Sequence, residues 1–223
     1  MIHPAIEIDR EIAGLCPGIC LGCLFYTASV TEDAAPVWQF YSAEVEPALK
    51  KRLAETDLSA MPGIGEARRA FKACGADPGR YRVSSEALYR RVRQGKDLYR
   101  ISSVVDANNL VSLETGFSLG SYDLGRIEGG ILLRRGREGE YYTGIGKGEV
   151  PLCSMPLLSD RLGAFGSPVS DSPRSRITAE TASVLTVIYG FSGQDAVEKA
   201  LELAAARLSA LAGAAGITKL LVV

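Results

Sequence analysis

The stretch Val104 to Asp123, VVDANNLVSLETGFSLGSYD, constrains this chain most. It opens apolar, places Asp106, Asn108, Asn109 and Glu114 within three helical turns, and then meets Gly116, a helix stop. Farther along comes GSPVSDSPRSRIT, Gly166 to Thr178, whose Gly, Pro, Ser and Asp residues form turns and expose backbone N–H groups. Together the two stretches supply amides, carboxylates and hydroxyls but no histidine. That inventory suits a pocket recognising a small polar molecule, such as an amino acid, by hydrogen bonds. Chemistry there has to run without imidazole.

The remaining composition narrows the class. With 223 residues, 47% hydrophobic and 23% charged, the chain can bury a sizeable core, and a single domain over 1–223 is the default because no repeat or Pro/Ser linker divides it. A net charge of -1 lacks the basic surplus of a dedicated nucleic-acid binder. The basic clusters Arg68-Arg69, Arg90-Arg91-Arg93 and Arg134-Arg135-Arg137 read as solvated faces. No apolar run reaches the roughly 18 residues that span a bilayer, and MIHPAIEIDREIAG lacks signal-peptide order. Five cysteines in a chain that needs no staples point to reduced thiols and a cytoplasmic setting.

Residues Ile6 to Val30 read as two strands, IEID and ICLGCLFYTASV. Trp38, Tyr41, Val45, Ala48 and Leu49 recur at helical spacing between Val37 and Leu53. Further helices are expected at Glu66 to Cys74, along SEALYRRVRQG up to Gly95, from a cap at Asp106 through Glu114, and at Asp195 to Leu211. Short β runs fill Ser118 to Val150, a loop covers 163–175, and ETASVLTVIYGF reads as a strand. Helices and strands interleave without βαβ alternation, which favours an α+β layered domain.

Several sites that suggest chemistry read better as structure. Cys16, Cys20 and Cys23 have the C-x3-C-x2-C spacing of a cluster-binding motif, but strand alternation sends Cys16 and Cys20 to one face and Cys23 to the other. His3 stands at a terminus expected to fray, a poor place for a catalytic imidazole or a zinc ligand. Gly144 to Gly148 lacks the order of a phosphate loop and reads as a hairpin turn. No metal and no cofactor is expected. What remains is Asn108, Asn109, Glu114, Asp171, Ser172 and Arg174; the same residue types also serve as caps, turn formers and surface polar groups, and that alternative stays open.

VVDANNLVSLETGFSLGSYDLGRIEGGILLRR and FGSPVSDSPRSRITAETASVLTVIYGF together resemble the B3/B4 (editing) domain of the phenylalanyl-tRNA synthetase β subunit and its stand-alone relatives. The family pattern VVD-x-TN-x-V-x-x-E-x-G-x-P-x-H-x-x-D is matched at Val104, Val105, Asp106, Asn109, Val111, Glu114, Gly116 and Asp123. The likeness is strongest from about residue 80 to 191. It implies a three-layer α+β sandwich with the family's pocket location. In the synthetase the module removes tyrosine misattached to the phenylalanine tRNA, and that tyrosine preference does not carry over to this chain. Asn108 and Asn109 match the pocket's Thr-Asn pair, Gly120 falls where the family has a histidine, and Asp171 is the nearest carboxylate to the family's tyrosine-reading glutamate.

The expected site therefore lies between the Asn108-Asn109 helix and the 166–175 loop. Asp171 and Asn109 are its expected catalytic groups. Asn108, Glu114, Gly120, Gly166, Ser167, Ser172 and Arg174 are its expected substrate contacts, with backbone N–H groups of Gly166 to Ser172 as oxyanion donors and Arg174 on the terminal ribose or phosphate. The expected partner is an amino acid or an aminoacyl-tRNA end, with no DNA and no membrane. The expected function is hydrolysis of mischarged aminoacyl-tRNA, or alternatively binding without turnover.

Overall fold

The run CLGCLFYT is apolar at nearly every position, and the computed structural model shows the reason. It forms strand β2 (Cys20–Thr27), buried on both faces up to its last residue. Alternation sends Cys20, Leu24 and Tyr26 into one core and Leu21, Cys23 and Phe25 into another. The structure describes residues 3–61, 63–191 and 193–223. β2 lies inside an antiparallel sheet of order β10–β2–β9–β3, where β3 is Ser118–Asp123, β9 is Ser183–Gly190 and β10 is Ala215–Val222. The register sets Cys23 opposite Val187 and Tyr122 opposite Leu185.

Helices cover one face of this sheet. They are α2 (Ala35–Phe40), α3 (Glu46–Glu55), α5 (Ser84–Arg93), α6 (Ser103–Thr115) and α7 (Gln194–Ala212). Val104, Leu110 and Val111 of α6 and Val197, Leu201 and Leu208 of α7 pack on Leu24, Val184 and Ile188. Each such side chain contributes about 1.5–3 kcal/mol on full burial. The helix layer sits close: a Cβ at Gly22 would stand 2.8 Å from both Leu201 Cγ and Val197 Cγ1.

The other face packs on a second sheet of order β1–β4–β7–β8, made of β1 (Ile6–Ile8), β4 (Ile131–Arg135), β7 (Pro156–Asp160) and β8 (Gly163–Gly166). Here Phe25, Leu185 and Val187 meet Leu133, Leu157 and Phe165, with α1 (Arg10–Leu15) and α4 (Ile64–Cys74) contributing Ile12 and Phe71. Strands β5 (Tyr141–Thr143) and β6 (Glu149–Pro151) form a hairpin. Its turn closes through Gly144 N–H to Gly148 O and Lys147 N–H to Gly144 O. The result is the expected α+β three-layer sandwich: helices, a sheet, and a second sheet.

Several expectations are corrected. Asp106 does not cap α6. Ser102 does, accepting from Val105 N–H, while Asp106 lies in the first turn and accepts from Trp38 Nε1 (2.8 Å) and Ile101 N–H (2.9 Å). The loop expected over 163–175 contains β8, and the expected helix from Val37 to Leu53 runs from Ala35 to Glu55 through a π turn at Tyr41–Val45. Cys16 precedes β2, at the end of α1, and its sulfur meets Cys74 Sγ at 3.7 Å. Cys16 thus shares a core with Cys23 while Cys20 faces the helices, so strand alternation misassigns it. Burial pushes the thiols up, Cys20 to about 11 and Cys23 to about 12, so both stay protonated. His3 is not frayed; its ring stacks on Phe25 with centroids 4.0 Å apart. Among the described residues no helix is long and apolar enough to cross a membrane.

Candidate functional site

Strand β3 is the edge of its sheet, and its two faces lead to different places. Leu119 and Ser121 face the helix side, whereas Tyr122 points into the space between the sheets. The chain returning from β8 wraps around this edge, with an isolated antiparallel bridge between Tyr122 and Arg176. Where that segment meets the start of α6, it leaves a cavity of about 460 Å³. Such a volume lies in the range of small-molecule sites.

The lining comes from six places. The segment after β2 gives Val30, Thr31 and Glu32; Ser84 opens α5; Val105, Asn108 and Asn109 belong to the first half of α6, and Ile101 and Ser102 lead into it. Leu119 and Ser121 form the floor, and Ile145 comes from the β5–β6 hairpin. The returning segment supplies Asp171, Arg176, Ile177, Thr178 and Ala179. Val30, Ile101, Val105, Leu119, Ile145 and Ile177 make one aliphatic lining, into which Asn109 and Asp171 bring polar groups. Glu32 and Arg176 are the exposed charges of the rim.

The polar floor is fixed by its own bonds. Asn108 donates Nδ2 to Leu119 O and accepts at Oδ1 from Ser121 Oγ (3.1 Å). Ser121 shares a further bond with Thr186 Oγ1 (2.8 Å), which in turn meets the Tyr26 hydroxyl (2.9 Å). Asn108 is therefore committed to holding α6 against β3. Asn109, one residue on, lies outside that network and remains available to a ligand.

Asp171 is held from behind. Its Oδ1 accepts from the Tyr122 hydroxyl (2.9 Å) and from Ser167 N–H (3.2 Å). Its backbone is pinned too, because Ile145 N–H donates to Asp171 O at 2.9 Å. Among the described residues no donor reaches Oδ2, and that oxygen is not sealed from solvent. Burial pushes the Asp171 carboxyl up to about 7, against the bonds from Tyr122 and Ser167 and the nearby Lys147 cation, which pull it down. The group is thus divided between acid and carboxylate near neutral pH, as a general base should be.

The other expected contacts separate into two groups. Gly120, Gly166 and Ser167 lie behind Asp171 rather than on the cavity wall: a Cβ at Gly120 or Gly166 would stand 2.1 or 2.2 Å from the Tyr122 hydroxyl oxygen. Ser172 caps the short turn Pro173–Ser175. Glu114 and Arg174 are not brought to the cavity. Glu114 pairs with Arg207, and Arg174 forks onto Asp160 (2.9 and 3.0 Å). The backbone N–H groups of Ser167, Val169, Ser170 and Ser172 already have acceptors, on Asp171, Ser167 and Phe165, so those four are not free to serve as oxyanion donors. Sequence reasoning missed Ser84, Ser121, Arg176 and Tyr122. Arg176 stands two residues from Arg174, and Ser121 follows from strand alternation with Leu119.

Comparison with known proteins identifies the family. The B3/4 domain family matches residues 66–213, more than half of the chain. The chain belongs to the B3/4 domain family. Among its relatives is the phenylalanine–tRNA ligase β subunit of Chromobacterium violaceum, 31% identical over 118 residues, covering 50% of this chain and 15% of that subunit. The corresponding subunit of Leifsonia xyli is 38% identical over 93 residues, covering 41% of this chain and 11% of its own. This B3/4 protein thus matches only a small part of the length of those subunits. A solved N-terminal fragment of the phenylalanyl-tRNA synthetase β subunit from Pyrococcus horikoshii is 14% identical, with a TM-score of 0.49, over 98% of this chain and 50% of that one.

Proposed function

We propose that this B3/4 protein hydrolyses the ester of a mischarged aminoacyl-tRNA, acting on an end delivered in trans. The observation that carries this reading is one cavity in which Asn109 and the open Oδ2 of Asp171 share an aliphatic lining. The lining takes an aminoacyl side chain. Asn109 donates its amide to the ester carbonyl, and Arg176 at the rim meets the terminal phosphate or ribose. Asp171 Oδ2 accepts a proton from a water as the water oxygen bonds to the carbonyl carbon. The carbon–ribose oxygen bond then breaks, and the same proton passes to the departing hydroxyl. An ester is activated already, so orientation of the water supplies much of what is needed.

The test is a panel of mischarged tRNAs incubated with the protein, with Asp171→Ala and Asn109→Ala beside it. Deacylation above buffer, lost in Asp171→Ala, is the expected result. No deacylation of any member sinks the reading.

A second reading is supported by the net charge of -1, since affinity for nucleic acid rests mostly on phosphate neutralisation. In that reading the cavity binds a free amino acid without turnover. A thermal-shift screen of the twenty amino acids separates the two: stabilisation by a free amino acid alone, with no deacylation, favours the binding module.

A further inference from the structure

Behind the cavity lie buried phenols whose arrangement the hydrolytic reading leaves unexplained. Tyr122 is fully buried, and its ring packs edge-on against Phe165 with centroids 5.0 Å apart. Its hydroxyl stands within 2.7 Å of the Tyr189 hydroxyl and 2.9 Å of Asp171 Oδ1. Gly120 and Gly166 flank that oxygen so tightly that any Cβ at either position would overlap it. Strands β3, β8 and β9 thus clear and fill one slot with a single phenol aimed at a single carboxyl oxygen.

Occupying Oδ1 has a geometric consequence. A carboxylate with both oxygens free can rotate and present either; with Tyr122 and Ser167 N–H on Oδ1, only Oδ2 can face the cavity. We propose that Tyr122, oriented by Tyr189, is the positioning residue of this site, fixing the Asp171 carboxyl so that Oδ2 is the oxygen offered to the ligand. The proposal rests on Asp171 being the working group, and it names what makes that group work.

The titratable groups facing Asp171 are Tyr122 from β3, Tyr189 from β9, Tyr142 from β5 and Lys147 from the hairpin turn; Cys23 on β2 faces Tyr189. Burial raises the phenols of Tyr122 and Tyr189 well above their ordinary value, so both remain neutral donors. Asp171 is then the member of the cluster that changes charge near neutral pH.

The experiment titrates Asp171 in the full chain by carboxyl-13C NMR, alongside the pH profile of deacylation. In Tyr122→Phe the ring still fills the slot but the donor is gone, so the Asp171 midpoint is expected to rise by about one pH unit. The acidic limb of the kcat profile moves with it while KM stays unchanged. Tyr189→Phe leaves Tyr122 donating but less well polarised, so the midpoint rises by less; this variant carries the test if Tyr122→Phe does not fold. An unchanged midpoint in the folded variants overturns the positioning role even if deacylation persists. A shifted midpoint in a protein that deacylates nothing upholds the positioning role and removes the hydrolase reading alone.

Discussion

Glu114 and Arg207 clasp α6 to α7 through two hydrogen bonds of 2.7 and 2.9 Å, and the Arg207 guanidinium lies 4.3 Å from the centre of the Phe40 ring. The residue expected to meet substrate is instead a strut between two helices, with side chains 16% and 26% exposed. Glu114→Ala is expected to cost about 1–2 kcal/mol, a partly buried bidentate pair being worth more than an exposed one. A double-mutant cycle with Arg207→Ala, read by urea denaturation, should show a clear coupling energy. Coupling near zero would mean that the strut contributes nothing.

Arg174 is equally committed. Its fork meets Asp160, whose side chain is fully shielded, and it also donates to Arg126 O and Gly163 O at 3.2 Å each. Burial alone would raise the Asp160 carboxyl; Arg174 and the backbone N–H groups of Glu128 and Leu162 outweigh it and hold the carboxyl below its ordinary value. Arg174→Ala leaves a buried carboxylate short of its partner and is expected to cost about 3 kcal/mol. Arg174→Lys restores the charge but not the fork, and recovers only part of the loss. Thermal melts of the two variants check this. Weakened substrate binding with an unchanged melting temperature would return Arg174 to the site.

How much of this was legible depends on how local each signal is. The helix that carries Asn108 and Asn109 was readable because its apolar spacing and the stop at Gly116, a left-handed residue at φ 87°, are both local. Its start was misread by four residues, because Ser102 and Asp106 are both capping types and only geometry shows which one accepts. Strand β10 was missed because it lies at a sheet edge with few buried residues, so ITKLLVV carries no clean alternation. The joining of Asn109 with Asp171 was reached from residue chemistry and family likeness. The tyrosines behind Asp171 were not: Tyr122 sits in the mixed strand SLGSYD and Tyr189 in an apolar one, and their meeting depends on a register that no local pattern encodes.

The slot around Tyr122 predicts that small residues are required on both sides of it. In Gly120→Ala the new methyl would stand 2.1 Å from the Tyr122 hydroxyl oxygen and 2.6 Å from Cζ, and the ring has no retreat because Phe165 backs it. The expected cost is about 1–3 kcal/mol of overpacking. Combining Gly120→Ala with Tyr122→Phe relieves part of the overlap, so the double variant should cost less than the sum of the two single variants. Strict additivity in denaturant midpoints would show that the two residues do not press on each other.

Asp171 gives the fold a pH dependence of unusual sign. Its carboxyl has an ordinary value of 3.8 and a folded value of about 7, raised by burial. Below 3.8 the folded and unfolded chains both hold the proton, and the full contribution to stability is present. Between 3.8 and about 7 the unfolded chain releases its proton while the folded one keeps it, so stability falls as pH rises, and it levels off above the folded value. Asp171→Asn keeps the shape and cannot ionise. It is therefore expected to leave the melting temperature nearly unchanged at pH 4 and to raise it at pH 8, while abolishing deacylation. Melting curves of the two proteins across that range decide the matter: a variant less stable than the parent at pH 8 would show that the ionised carboxylate stabilises the fold.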